Sequence, residues 1–136
     1  MGRNVKTDIM YSCKEISILG RRVISAICQT EDGINILIAG GDKGHIGAVA
    51  IAKAGYIIES VAFPDHKEKI ICENWAKKIS VVYPGPVVVE AGIHYDTITK
   101  EQIQEVLERL DEELEKLLQE FSGEKERIEK GEGEGK

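Results

Sequence analysis

Ile103, Val106, Leu107, Leu110, Leu114, Leu117, Leu118 and Phe121 recur at three- and four-residue spacing near the C-terminus of this chain of 136 residues. That period puts them on one face of an α-helix, and a stripe so wide must be buried against a partner surface. The start of the helix is marked as well. Thr99 as N-cap with Gln102 at the third helical position forms a capping box, and Ile98 with Ile103 forms a hydrophobic staple. Pairs such as Glu105–Arg109 and Glu112–Lys116 support the exposed side. A helix covering the core is the favoured reading. The stripe is about as long as a small sheet is wide, so its far end is also available to a second copy of the chain.

The partner surface is a sheet. Residues 15–19 and 22–29 are short and partly alternating, Glu31-Asp32-Gly33 is a turn signal, and residues 34–39 form an apolar run. This reads as consecutive antiparallel strands joined by tight turns, with the extreme N-terminus a further candidate edge strand. Residues 46–54 are alanine-rich and followed by Gly55, which suits a helix C-cap. They show no 3.6-residue stripe and lead directly into the β-branched run 56–63, so a strand is favoured over a helix. Asp65 and Glu68 are a capping pair for a helix over 65–80, on which Ile71, Cys72, Trp75, Ala76 and Ile79 share a face. After Tyr83-Pro84-Gly85-Pro86, residues 87–93 read as a strand covered on both faces. Strands first, then helix, strand and helix, predict an α+β fold: a mainly antiparallel sheet of about five to six strands covered by two helices. One domain over 1–121 is expected, with the Glu/Lys/Gly-rich residues 122–136 a disordered tail.

Composition excludes several classes. The chain carries a formal charge of −6 and shows no basic patch the size of a face, which disfavours nucleic-acid binding. No segment approaches the roughly 18 apolar residues of a membrane span, and the N-terminus lacks the apolar run of a signal peptide. Cys13, Cys28 and Cys72 are odd in number and form no C-x-x-C pair, which predicts reduced, mostly buried thiols in a cytoplasmic protein.

The chemistry-bearing residues fall in three short polar segments. Gly40-Gly41-Asp42-Lys43-Gly44-His45-Ile46-Gly47 is the densest glycine cluster outside the tail. Its glycines permit positive φ, and successive N–H groups can form an anion-binding nest; the plainer alternative is a wide hairpin loop. His66 and Lys67, followed by Glu68, fall in the first turn of the expected helix, where an anion is favoured. His94 follows a strand and precedes Asp96, a pairing that fixes a tautomer or simply stabilises the turn. The three histidines with Asp42 and Asp96 are chemically adequate for a metal. However, no element carries two ligands at a binding spacing, so a metal site is disfavoured.

Together, Gly41-Asp42 with His45-Ile46-Gly47-Ala48-Val49-Ala50, then Pro64-x-His66-Lys67-Glu68, then Ala91-Gly92-Ile93-His94-x-Asp96-x-Ile98-Thr99, resemble the small prenylated-flavin chaperone family (LpdD-like), the D subunits that accompany gallate decarboxylases. The resemblance covers roughly residues 15–121. It implies a fold related to proteasome-assembly chaperones, a homodimer, and a non-catalytic role in binding prenylated FMN, or FMN, for delivery to a UbiD-type decarboxylase. It implies a cofactor site at Gly41, Asp42, Gly44, His45, Gly47, His66, Lys67, Glu68, His94 and Asp96; Lys43 has no assignment. The residues themselves are compatible with such a site: a flavin phosphate suits the glycine segment 40–47, the start of the expected 65–80 helix, His66 and Lys67. His45 and His94 bond polar edges of the ligand, oriented by Asp42 and Asp96. Two alternatives stand beside it: a small enzyme using the same histidines as acid/base or metal ligands, and an assembly chaperone with no small ligand.

Overall fold

A computed structural model describes residues 9–64 and 67–129. The elements are β1 (Met10–Ile18), β2 (Arg21–Gln29), β3 (Ile34–Gly41), β4 (Lys43–Lys53), β5 (Tyr56–Ala62), α1 (Lys69–Val82), β6 (Val87–His94) and α2 (Lys100–Glu129). The expected α+β order, strands followed by helix, strand and helix, is the observed one. Residues 46–54 lie almost wholly in β4, the strand alternative.

Two of the turns have the left-handed geometry that matches strand twist. Leu19 (φ 54°) and Gly20 (φ 76°) join β1 to β2, and Ala54 (φ 53°) and Gly55 (φ 85°) join β4 to β5. The second turn is tied to α1, because Gly55 N–H donates to Ser80 Oγ at 2.8 Å.

The six strands form one sheet in the order β1-β2-β3-β6-β4-β5. All neighbours are antiparallel except β3 and β6. The segment between β3 and β4 is therefore not a hairpin loop. β6 is inserted between these two strands, and the chain passes over its C-terminal end.

Both helices contribute to the same core. Trp75, Ala76 and Ile79 of α1, with Val106, Leu110, Leu114, Leu117 and Phe121 of α2, cluster with Val23, Ile36, Ile38, Ala50 and Val89 of the sheet. The α2 stripe is thus largely consumed by its own core, which takes in its far end at Phe121, 7% exposed. The alternate sheet residues are only half-buried, which corrects the expectation that β6 is covered on both faces. Its burial comes from a central position and helices on one side.

Three further expectations change. Cys72 is buried, but Cys28 is half-buried and Cys13 exposed on the edge strand, so the thiols are not mostly buried. α2 continues to Glu129, past the expected end at residue 121, because the charged residues beyond Ser122 are good helix formers. The rest of the expected tail, residues 130–136, lies outside the described residues, as do residues 1–8, Asp65 and His66. Of the Asp65–Glu68 capping pair only Glu68 can be placed. It is the N-cap residue of α1, but its carboxylate turns toward β6.

Candidate functional site

The passage over the end of β6 depends on backbone without side chains. Gly40 (φ 152°) and Gly41 (φ 85°) end β3, and a β-carbon on Gly40 would lie 2.2 Å from Arg22 O, one on Gly41 2.3 Å from His94 O. Asp42 N–H then donates to His94 O at 2.7 Å, and Lys43 opens β4 on the far side. His94 is therefore flanked by Gly41 and Lys43. The N–H of Asp42 is spent on this crossing, and Lys43 and Gly44 pair in the sheet. The segment behaves as a strap rather than an open anion nest.

β4 then bulges. Gly44 is opposite Ile93 and Ala48 opposite Ala91, leaving residues 45–47 arched over Gly92 alone. The arch presses so closely that a β-carbon on Gly92 would sit 1.6 Å from His45 O. It carries the His45 ring to Glu68, with Nε2 to Oε2 at 3.1 Å. Glu68 Oε2 also accepts Ile93 N–H at 3.2 Å, so one carboxylate joins the start of α1, the end of β6 and the arch. The His45 and His94 rings lie 6.4 Å apart, centroid to centroid, at 63°.

Asp42 sits behind these groups. It forms an ion pair with Arg21 and accepts Asp96 N–H at 2.8 Å. The Asp96 N–H and then the Arg21 guanidinium hold its carboxyl below the usual carboxylate range. Its carboxylate is therefore engaged away from His45, and Glu68 takes the orienting place expected of Asp42. His94 Nε2 does meet Asp96 Oδ1, at 2.9 Å, but with side chains half to three-quarters exposed. Tyr95 OH donates to Ile18 O at 2.7 Å, and burial, then the Asp42 charge, raises its pKa.

In front of these groups lies a cleft of about 660 Å³ between the starts of α1 and α2 and the end of β6. Its wall is aliphatic: Ile71, Ile93, Ile98, Val106 and Leu107, with Tyr95. One end is polar, formed by His45, Glu68, His94 and Lys67. Ile70 (72% exposed) and Ile103 (44%) stand at the mouth. A second depression of about 520 Å³ lies beyond, lined by Lys43, Ile46, Phe63 and Pro64 and sharing His45 and His94 with the cleft.

The structure thus brings His45, Lys67, Glu68 and His94 onto the cleft, and Asp96 onto His94. It places Gly41, Asp42 and Gly44 in the strap, and Gly47 in the arch, where its carbonyl accepts Phe63 N–H at 2.9 Å. His66 lies outside the described residues. Sequence reasoning missed Arg21, the counter-charge of Asp42, which no local pattern signals. It also missed the aliphatic wall, whose Ile98 and Ile103 carry a signal only as a helix staple. Among the described residues no group of three or more His, Cys, Asp or Glu side chains gathers at metal-binding distances.

Residues 19–122 match the prenylated flavin chaperone LpdD-like domain. Protein LpdD of Lactiplantibacillus plantarum is 40% identical over 73 residues, covering 50% of this chain. The chain spans 54%, about half, of that relative's length. A solved chaperone complex for yeast 20S proteasome assembly contains a chain of similar fold, with a TM-score of 0.52 and 12% identity over 85% of this chain and 98% of that one. With a match over most of its length, this chain belongs to the prenylated flavin chaperone LpdD-like family.

Proposed function

We propose that this protein binds prenylated FMN in the cleft between α1, α2 and the end of β6, and passes it to a UbiD-type decarboxylase. The observation that carries the reading is the cleft itself. Its volume falls in the range of about 300–1,000 Å³ usual for small-ligand sites, and its aliphatic wall ends in a few convergent polar groups. A flavin has a broad apolar ring with polar edges and an anionic phosphate. Lys67 and Lys43 are the cations for the phosphate, while His45, held by Glu68, and His94 face the ring edge. When bound, the prenylated flavin supplies the decarboxylase with its electron-accepting ring. This chain's own residues only hold, orient and shield it.

The test is a fluorescence titration of prenylated FMN against the protein and its His45→Ala and His94→Ala variants, followed by transfer to a cofactor-free UbiD-type decarboxylase. Binding that weakens about tenfold in either variant supports the reading. Unchanged affinity in both removes the histidines from the site.

The His45–Glu68 pair favours a second reading, because a carboxylate-held imidazole beside a cleft is also an acid–base arrangement. Turnover by the protein alone, lost in His45→Ala, distinguishes the two.

A homodimer is part of the proposal, and the face of the sheet away from the helices is its surface. Ile24, Ala26, Leu37, Ala39, Val49 and Ile51 line that face, with Glu90 held by Asn35 Nδ2 at 2.9 Å. The half-buried aliphatic centre of that face is the surface on which two copies would bury apolar area. A cytoplasmic location is proposed as well, since the free, exposed Cys13 suits a reducing compartment.

A further inference from the structure

We infer that the cleft distinguishes prenylated from plain flavin, and that its aliphatic wall and mouth together make the distinction. The inference rests on the proposed function and adds where in the site the selectivity lies. A prenylated flavin differs from FMN by a branched, fully apolar group of isoprenoid origin. Both ligands present the same phosphate and the same polar ring edge. Lys67, His45 and His94 therefore meet features common to both, and the polar end of the cleft cannot tell them apart.

The wall can. Ile71, Ile93, Ile98 and Leu107 are branched aliphatic side chains with no donor or acceptor of their own, suited to added methyl-rich carbon. Part of the wall is held in place from outside the cleft. Ile98 and Ile103 flank the capping box of α2, in which Thr99 N–H donates to Gln102 Oε1 at 2.9 Å and Gln102 N–H to Thr99 Oγ1 at 3.1 Å. Tyr95, the aromatic member of the lining, has its hydroxyl fixed on Ile18 O. Flavin recognition here leans on aliphatic contact.

The mouth points the same way. Ile70 and Ile103, on the first turns of α1 and α2, are exposed, at 72% and 44%, although both border the cleft. A ligand with additional apolar carbon gains by covering them, whereas a polar ligand does not. One extra carbon group in such a pocket is worth roughly 10- to 200-fold in discrimination.

The experiment is a paired anaerobic titration of prenylated FMN and FMN against the full chain and an Ile70→Ser/Ile103→Ser variant. Both residues are exposed, so the variant should keep its fold, which a thermal melt checks. The expected result is a preference for prenylated FMN of about tenfold or more in the parent protein. In the variant the preference should collapse toward unity while FMN affinity stays within about twofold. Equal affinity for the two flavins in the parent overturns the inference and leaves the proposed function standing. A variant that loses both ligands in proportion also overturns it, by making the aliphatic mouth a general contact. Binding of neither flavin overturns the proposed function and the inference with it.

Discussion

The carbonyl oxygen of His45 rests against Gly92, at the point where any other residue would carry its side chain. Position 92 therefore sets where His45 can be. Gly92→Ala would push the arch of β4 off the sheet and draw the imidazole away from Glu68. We expect a loss of about 1–3 kcal/mol or more in stability, read from urea denaturation, and, on the proposed function, weakened flavin binding. Gly44→Ala is the control. Its β-carbon would find its nearest neighbour at 3.5 Å, an ordinary contact, so stability should change little.

Asp42→Asn tests the strap. Hydrogen bonding and the Arg21 charge hold the folded-state pKa of Asp42 below its unfolded value. The stabilisation is therefore present above the unfolded carboxyl pKa of about 4 and is lost as pH falls through the lower folded value. The parent protein should be more stable than the variant at pH 6. The gap should close as the pH is lowered below about 4, measured as midpoint differences in denaturant at each pH.

The cysteines should separate by reactivity. Burial, with the Glu68 charge adding, pushes the Cys72 thiol up to about 12. Alkylation at pH 8 followed by mass spectrometry should label Cys13 readily and Cys72 only after denaturant is added. A folded pKa above the unfolded one also means that stability present at neutral pH is lost as pH rises past about 8.5.

Leu37→Lys places a charge in the middle of the uncovered sheet face, beside Ala26 and opposite Glu90 in the ladder. In the proposed homodimer this substitution should shift sedimentation from dimer to monomer while leaving the circular dichroism spectrum intact. A species unchanged in mass would place the dimer contact elsewhere.

Truncating the cap of α2 has a smaller, local effect. Thr99→Ala removes the acceptor for Gln102 N–H and should cost about 0.5–2 kcal/mol, seen as a lower thermal midpoint.

Much of the fold is legible in the sequence because it is written in local patterns. The capping box of Thr99 and Gln102 and the period of Leu110, Leu114 and Leu117 define α2 without reference to anything distant. The β-branched run 56–63, following at once on residues 46–54 with no 3.6-residue stripe, likewise favours a strand there over a helix. Strand order is not written that way. Nothing near residues 40–47 reveals that β6, some fifty residues on, fits between β3 and β4, so a hairpin loop and a strap look alike. The same holds for the site. His45 and His94 are visible as polar residues at element ends, but Asp42 is the nearer carboxylate in sequence and Glu68 the one that meets His45. That exchange arises from the arch over Gly92, which exists only once β6 is in place. The aliphatic wall is hidden for another reason. Ile71, Ile98 and Leu107 satisfy helix packing patterns, and a cleft between two helix starts uses the same residues as a core.

The insertion of β6 also orders events in time. β3 and β4 are made early, yet their shared neighbour emerges only after β5 and α1, so the gap between them has to stay open until residues 87–94 arrive. Such a long-range closing step is the slow one in folding. Until it occurs there is no arch, no His45–Glu68 pairing and no cleft. On the proposed function, a flavin therefore recognises only chains that have completed the last strand. On that same proposal, a flavin at concentrations well above its dissociation constant should hold that strand in place, so that a bound ligand would fasten the fold that binds it.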